Sequence, residues 1–134
     1  MRFMLLQNYG PTASGAPPIV EWEPADIRAH IAFQQEINER LEELGELIDA
    51  VGLAGPEAAR FVTSDGEGPP VVTDGPYAEA KELLAGYRLV DVDTWERAIE
   101  IAALVSAAPG PRGEPIQERI EVRQVMGAPT TDDL

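Results

Sequence analysis

Cysteine is absent from this chain, which removes disulfides, thiolate metal ligands and thiol nucleophiles from consideration together. Histidine occurs once, as His30, so any metal centre would have to rest on carboxylates plus that one imidazole. Positive charge is scarce: 10 Lys and Arg stand against 24 Asp and Glu, a formal net charge of -14 at pH 7. A phosphate backbone is held by clustered basic side chains, so nucleic acid is not an expected partner. Long apolar runs are missing as well. Met1 to Leu6 is apolar but soon meets Gly10 and Pro11, too short for a secretory core or a membrane span, and the expectation is a cytoplasmic protein with no membrane association. No phosphate-cradling glycine pattern, serine-centred elbow or zinc spacing occurs, and neither a cofactor nor a metal is expected. Asp132-Asp133 and Glu42-Glu43 read as solvated charges, and Trp22 and Trp95 as packing residues.

What is present suits one folded unit. With 134 residues, of which 44% are hydrophobic, the chain can bury a single core but not two. Residues 1–126 read as one domain and 127–134 as a flexible tail. Arg2 to Tyr9 predicts a strand, with Phe3, Leu5 and Tyr9 on one side and Met4 and Leu6 on the other, apolar on both faces. Gly10 to Glu23 is a long loop rich in Gly, Pro, Ser and Thr. Pro24 then opens a helix that runs to Leu44 and stops at Gly45, with Ile27, Ile31, Phe33, Gln34, Ile37, Leu41 and Leu44 on its inward arc.

Further on, Glu46 to Leu53 predicts a second strand, and Arg60 to Thr63 with Pro70 to Thr73 a hairpin turning at Ser64 to Gly68. Leu83 to Val92 is a strand. Asp93-Thr94-Trp95-Glu96 starts a second helix that either Asp93 or Thr94 can cap, with Asp93 and Glu96 spaced as in a capping box and Trp95, Ile99, Ala102 and Ala103 facing inward. A last strand is expected over Pro115 to Val125, with Ile116, Ile120 and Val122 opposite Gln117, Arg119, Glu121 and Arg123. The order β, α, β, hairpin, β, α, β predicts an α+β, ferredoxin-like βαββαβ sandwich with an inserted hairpin. Both helices would then cover one sheet face, and the other face, apolar in the first strand, points to a homodimer.

Two features carry chemistry. Asp74-Gly75-Pro76-Tyr77 restricts one turn tightly: Pro76 fixes its φ, Gly75 can take angles closed to other residues, and Asp74 can bond the backbone just downstream. It leads into Glu79 and Lys81, so the turn and its titratable neighbours read either as a candidate ligand-binding loop or as an exposed loop charged for solubility. His30, inside the apolar arc of the first helix, reads either as a packed residue with one satisfied hydrogen bond or as a general acid or base at a pocket rim.

The stretches Arg2-Phe3-Met4-Leu5-Leu6, Val72-Thr73-Asp74-Gly75-Pro76-Tyr77-Ala78-Glu79-Ala80-Lys81-Glu82, Gly86-Tyr87-Arg88-Leu89-Val90-Asp91-Val92-Asp93 and Ile120-Glu121-Val122-Arg123-Gln124-Val125 resemble the YCII-related proteins, and most closely their DGPF branch. The likeness runs from Arg2 to about Met126. Tyr77 stands where phenylalanine is usual, and Ala80 where threonine is common. The resemblance implies a dimeric α+β barrel akin to muconolactone isomerase with a cleft between sheet and helix, and, for the branch, a setting beside extracytoplasmic-function sigma factors. Some relatives use a histidine with an aspartate, and one activity ascribed to the wider family is dehydrochlorination of an aromatic ring.

On that basis His30 is the expected catalytic histidine. The first strand ends in Gln7-Asn8-Tyr9 without an aspartate, which leaves Asp74 as the candidate partner. Gly75, Pro76, Tyr77, Glu79 and Lys81 are the candidate ligand contacts. The expected function is binding of a small cyclic or aromatic molecule, with acid-base lyase or isomerase chemistry; the alternative is a non-catalytic binding or regulatory module linked to stress response.

Overall fold

The computed structural model describes residues 1–75 and 83–133. Its elements run β1 (Arg2–Tyr9), α1 (Pro24–Glu43), β2 (Leu47–Gly52), β3 (Arg60–Thr63), β4 (Val71–Asp74), β5 (Leu83–Asp91), α2 (Trp95–Ser106) and β6 (Ile120–Gln124). Single 3-10 turns lie at Ile19–Glu21, Pro56–Ala58, Pro111–Gly113 and Thr131–Asp133. Four strands form a sheet in the order β2-β5-β1-β6, and β3 with β4 forms a separate hairpin. All the sheet pairings are antiparallel. This is the ferredoxin-like α+β order with a hairpin inserted before the third sheet strand.

Register explains which side chains go inside. Phe3 pairs with Val90, Leu5 with Arg88 and Gln7 with Gly86, while Leu5 meets Val122 and Gln7 meets Ile120 across β6. Partners across a ladder share a face. The face holding Phe3, Leu5 and Val90 carries both helices, whose Ile37, Leu41, Ala98, Ile101, Ala102 and Val105 complete one buried cluster. Met4, Leu6, Tyr87 and Leu89 point to the opposite face, which carries neither helix.

The ends of α1 follow from composition. Pro24 occupies the first turn, where its missing N–H is no loss. At the other end Gly45 takes φ 71°, Gly45 N donates to Glu42 O and Glu46 N to Leu41 O, the paired bonds that close a helix on a left-handed glycine.

In α2 the cap is Thr94, whose Oγ1 accepts from Arg97 N at 3.1 Å, so the helix starts one residue later than a box on Asp93 and Glu96 requires. The inward stripe is correspondingly Ala98, Ile101, Ala102 and Val105, not Trp95, Ile99 and Ala103, which are exposed. Small Ala98 and Ala102 let the helix sit close to the sheet, and Trp95 instead meets the Phe3 ring edge-on at 4.7 Å. On α1, Ile31 and Leu44 are also exposed. Ile31 lies roughly 100° around the helix from His30, off the arc facing the sheet, and Leu44 is the C-cap.

The last strand is shorter than predicted. Residues 115–119 are not in the sheet; they fold back along the exit of α2, with Ile116 N bonded to Ala108 O and Glu118 N to Ser106 O. Gln117 takes φ 56°, which ends regular alternation before β6. No helix among the described residues is long and apolar enough to cross a membrane.

Candidate functional site

His30 lies one turn and a half into α1, facing the segment that follows α2. There Ala108 O accepts from Ile116 N, and Gly110 N donates to Glu114 O. Alternate residues of an extended pair point their polar groups to opposite sides, so the intervening Pro109 carbonyl points away from the fold-back and toward α1. It meets His30 Nδ1 at 3.0 Å. A carbonyl oxygen can only accept, so Nδ1 carries the proton, and in the neutral ring Nε2 is left as an acceptor. The ring is held a second way, edge to face against Trp22 at 5.4 Å. Trp22 is itself buried, its indole N–H donating to Pro17 O at 2.7 Å.

These contacts form one wall of a cleft of about 890 Å3. The long loop after β1 closes its rim, and Ala13 N fixes that loop to Gln117 O. Gln7, Tyr9, Trp22, His30, Ile116 and Glu118 are among the residues that line the cleft. Tyr9 donates its hydroxyl to Leu53 O at 3.2 Å.

Glu118 is the titratable group that the sequence reading passed over. Its Oε2 accepts from Gln7 Nε2 at 3.1 Å. Burial pushes its carboxyl above the ordinary glutamate value, against the Gln7 hydrogen bond and the charges of His30 and Arg88, which pull it down. Desolvation wins because no donor besides Gln7 supports the carboxylate form among the described residues. The available signal was parity: Glu118 shares its odd-even position with Ile116, Ile120 and Val122, the face expected to point inward.

Behind Gln7 the polar interior continues. Arg88 is only 5% exposed. Its Nε donates to Asn38 Oδ1 at 2.8 Å, Nη1 to Gln7 Oε1 at 3.2 Å and Nη2 to Gln34 Oε1 at 2.6 Å. Gln7 thus relays between Arg88 and Glu118. Burial pulls the guanidinium below its usual value, with the Glu118 charge acting the other way, and it stays charged at neutral pH.

The hairpin residues lie elsewhere. Asp74 ends β4 with a side chain 91% exposed, 3.9 Å from Arg60, and it is not among the residues lining the cleft. Gly75 donates its N–H to Ala59 O at 2.8 Å. Its backbone is not left-handed; the glycine is needed because a Cβ would collide with the Phe61 ring and crowd the Ala59 carbonyl. Space, rather than unusual backbone angles, selects it. Pro76, Tyr77, Glu79 and Lys81 lie outside the described residues. Among the described residues no group of three or more His, Asp or Glu is placed to hold a metal ion.

The family model of the YCII-related domain matches residues 1–111, and the chain belongs to that family. The matched span takes in Gln7, His30, Arg88 and Pro109 and stops short of Glu118. No curated protein matches the chain significantly.

Proposed function

We propose that this YCII-related protein binds a small cyclic or aromatic organic molecule in the His30 cleft and moves a proton on it, as a cofactor-free isomerase or lyase. The observation that carries the reading is the Pro109 carbonyl on His30 Nδ1, which leaves Nε2 as the proton acceptor in a lined cleft. His30 takes a proton from carbon, and Glu118, its carboxyl biased toward the neutral form by burial, returns one at a second position. Proton transfer from the imidazolium to the Glu118 carboxylate then resets the pair, so the books balance without a cofactor. Trp22 and Tyr9 supply apolar ring faces for the substrate. In this reading the carboxylate partner is Glu118 in place of Asp74, which stands exposed beside Arg60.

The test needs no known substrate. A panel of cyclic and aromatic carbon acids is incubated in D2O, and loss of C–H signals is followed by proton NMR. At least one compound is expected to exchange faster with the wild-type protein than with His30→Gln, while long-range nitrogen spectra of the single histidine show the Nδ1–H tautomer. Equal exchange with both proteins, or a dominant Nε2–H tautomer, sinks the proposal.

We extend the proposal to a twofold homodimer formed through the sheet face that carries Met4, Leu6, Tyr87 and Leu89. Apolar side chains on the face that neither α1 nor α2 covers support it. Light scattering is expected to give twice the chain mass for the wild type and the chain mass for Leu6→Lys; a monomeric wild type refutes it.

A further inference from the structure

Beside the cleft, on the other side of Gln7 and Ala85, is a hollow of about 270 Å3 between α1 and the β2–β5 edge, lined by Gln34, Asn38, Ala50, Gly86 and Arg88. Gln7 and Ala85 line both spaces. The chemistry of the hollow is unusual for an interior. It contains a buried cation whose direct partners are the neutral groups of Asn38, Gln7 and Gln34. No carboxylate forms an ion pair with Arg88 among the described residues; Glu118 reaches it through Gln7.

Donors are left over. A guanidinium has five N–H groups. Nε uses one on Asn38, Nη1 one on Gln7, and Nη2 both on Gln34, through Oε1 at 2.6 Å and the backbone oxygen at 3.5 Å. One Nη1 proton stays uncommitted among the described residues. Among the described residues Gln34 Nε2 is buried with no hydrogen-bond partner. Turning the amide over would set its NH2 against the guanidinium, so the contact with Arg88 fixes this orientation. An unpaired buried donor beside a buried, uncompensated cation is costly in an empty protein. It is satisfied at once by an anion with two acceptor oxygens.

We infer that the hollow is a carboxylate subsite in which Arg88 Nη1 and Gln34 Nε2 hold the two oxygens of a small organic acid. Resting on the proposed use of the His30 cleft, this makes the substrate class a cyclic carboxylic acid, its carboxylate on Arg88 and Gln34 and its ring leaning past Gln7 and Ala85 toward Trp22 and His30. The net charge of -14 makes the arrangement more telling. An acidic surface repels such a ligand, so its affinity has to come from a local, desolvated cation.

The two readings separate by probe. Acetate carries the carboxylate without a ring, benzoate carries both, and benzamide is the neutral relative of benzoate. Acetate is expected to move the Arg88 Nε–H and Gln34 side-chain amide signals and leave the His30 ring signals in place. Benzoate moves all three, and benzamide binds about tenfold or more weakly, as loss of a charge-assisted bond implies. Gln34→Glu places a carboxylate against Arg88 within the chain; it is expected to raise the melting temperature and to abolish the acetate response. Arg88→Met abolishes the acetate response too, and the folded Gln34→Glu variant keeps the test decisive should Arg88→Met fail to fold. Acetate binding that survives Gln34→Glu, or sodium chloride at equal ionic strength giving the same shifts, overturns the subsite. An acetate response without any benzoate effect on His30 overturns the use of the cleft and leaves the subsite standing.

Discussion

Helices α1 and α2 lie on the same face of one sheet and cover opposite chemistry. Under α2, Ala98, Ile101, Ala102 and Val105 are buried within 12 residues, against Phe3, Leu5 and Val90. Under α1, a longer element of 20 residues buries only Ile37 and Leu41, and the space beneath it holds Gln34, Asn38, Arg88, Gln7, Glu118 and His30. Apolar contact is non-directional and contributes stability in proportion to area. Polar contact in the interior contributes little net stability and fixes direction. The α2 half therefore anchors the fold, and the α1 half presents a positioned imidazole, a carboxyl and a guanidinium.

The largest effect that would break this division lies under α2. Ile101 is fully buried, and Ile101→Ala is expected to lower the unfolding free energy by about 3 kcal/mol in urea titration, through lost transfer energy and the cavity left behind. In the same variant, while it is folded, the His30 tautomer and the benzoate response should be those of the wild type. A cost below about 1 kcal/mol would mean that α2 is not the anchor, and a changed tautomer would mean that the two halves are not separable.

The same division governs how much was legible in the sequence. Strand and helix order follow from apolar periodicity and from Gly and Pro punctuation, which act locally, and the sheet order then follows from few topological choices. β1, α1 and the hairpin strands accordingly lie within a residue or so of their predicted bounds. The site was half legible. His30 is marked by being the sole histidine on an inward arc, and Gln34 by lying on the same arc. Arg88 lies on an inward strand parity too, and Glu118 on the parity that the longer strand expected from sequence would turn inward, but a charged residue among apolar ones reads by habit as a break in the pattern. What no local pattern carries is the pairing that satisfies them: Gln7 and Glu118 are 111 positions apart, and His30 and Pro109 are 79 apart. The Pro109 carbonyl has no side-chain signature. Its direction depends on the fold-back of residues 109–118, and the left-handed Gln117 that breaks the predicted strand is equally invisible to alternation.

A smaller effect sharpens the contrast from the polar side. Glu118 is held above the usual carboxyl range even though Gln7, His30 and Arg88 all pull it down, so its net surroundings prefer the neutral form. A carboxyl whose folded value is raised binds its proton more tightly in the native state. Stability therefore falls as pH rises from the unfolded value through the folded one, and the penalty is complete above the folded value. Glu118→Gln keeps the oxygen that accepts from Gln7 and removes the charge. It is expected to be more stable than the wild type at neutral pH. The advantage should shrink as pH falls through the folded value and vanish below the ordinary carboxyl range. Glu46, pulled down by its hydrogen bond to Arg97, gives the opposite trend, stability lost on acidification, but it does so in both proteins and cancels in the difference. A variant less stable at neutral pH, by thermal melts across the range, would mean that the Glu118 carboxylate holds Arg88 and the fold together and is no spare acid. A gain with lost carbon-acid exchange is the result expected of a residue kept for chemistry at the expense of stability.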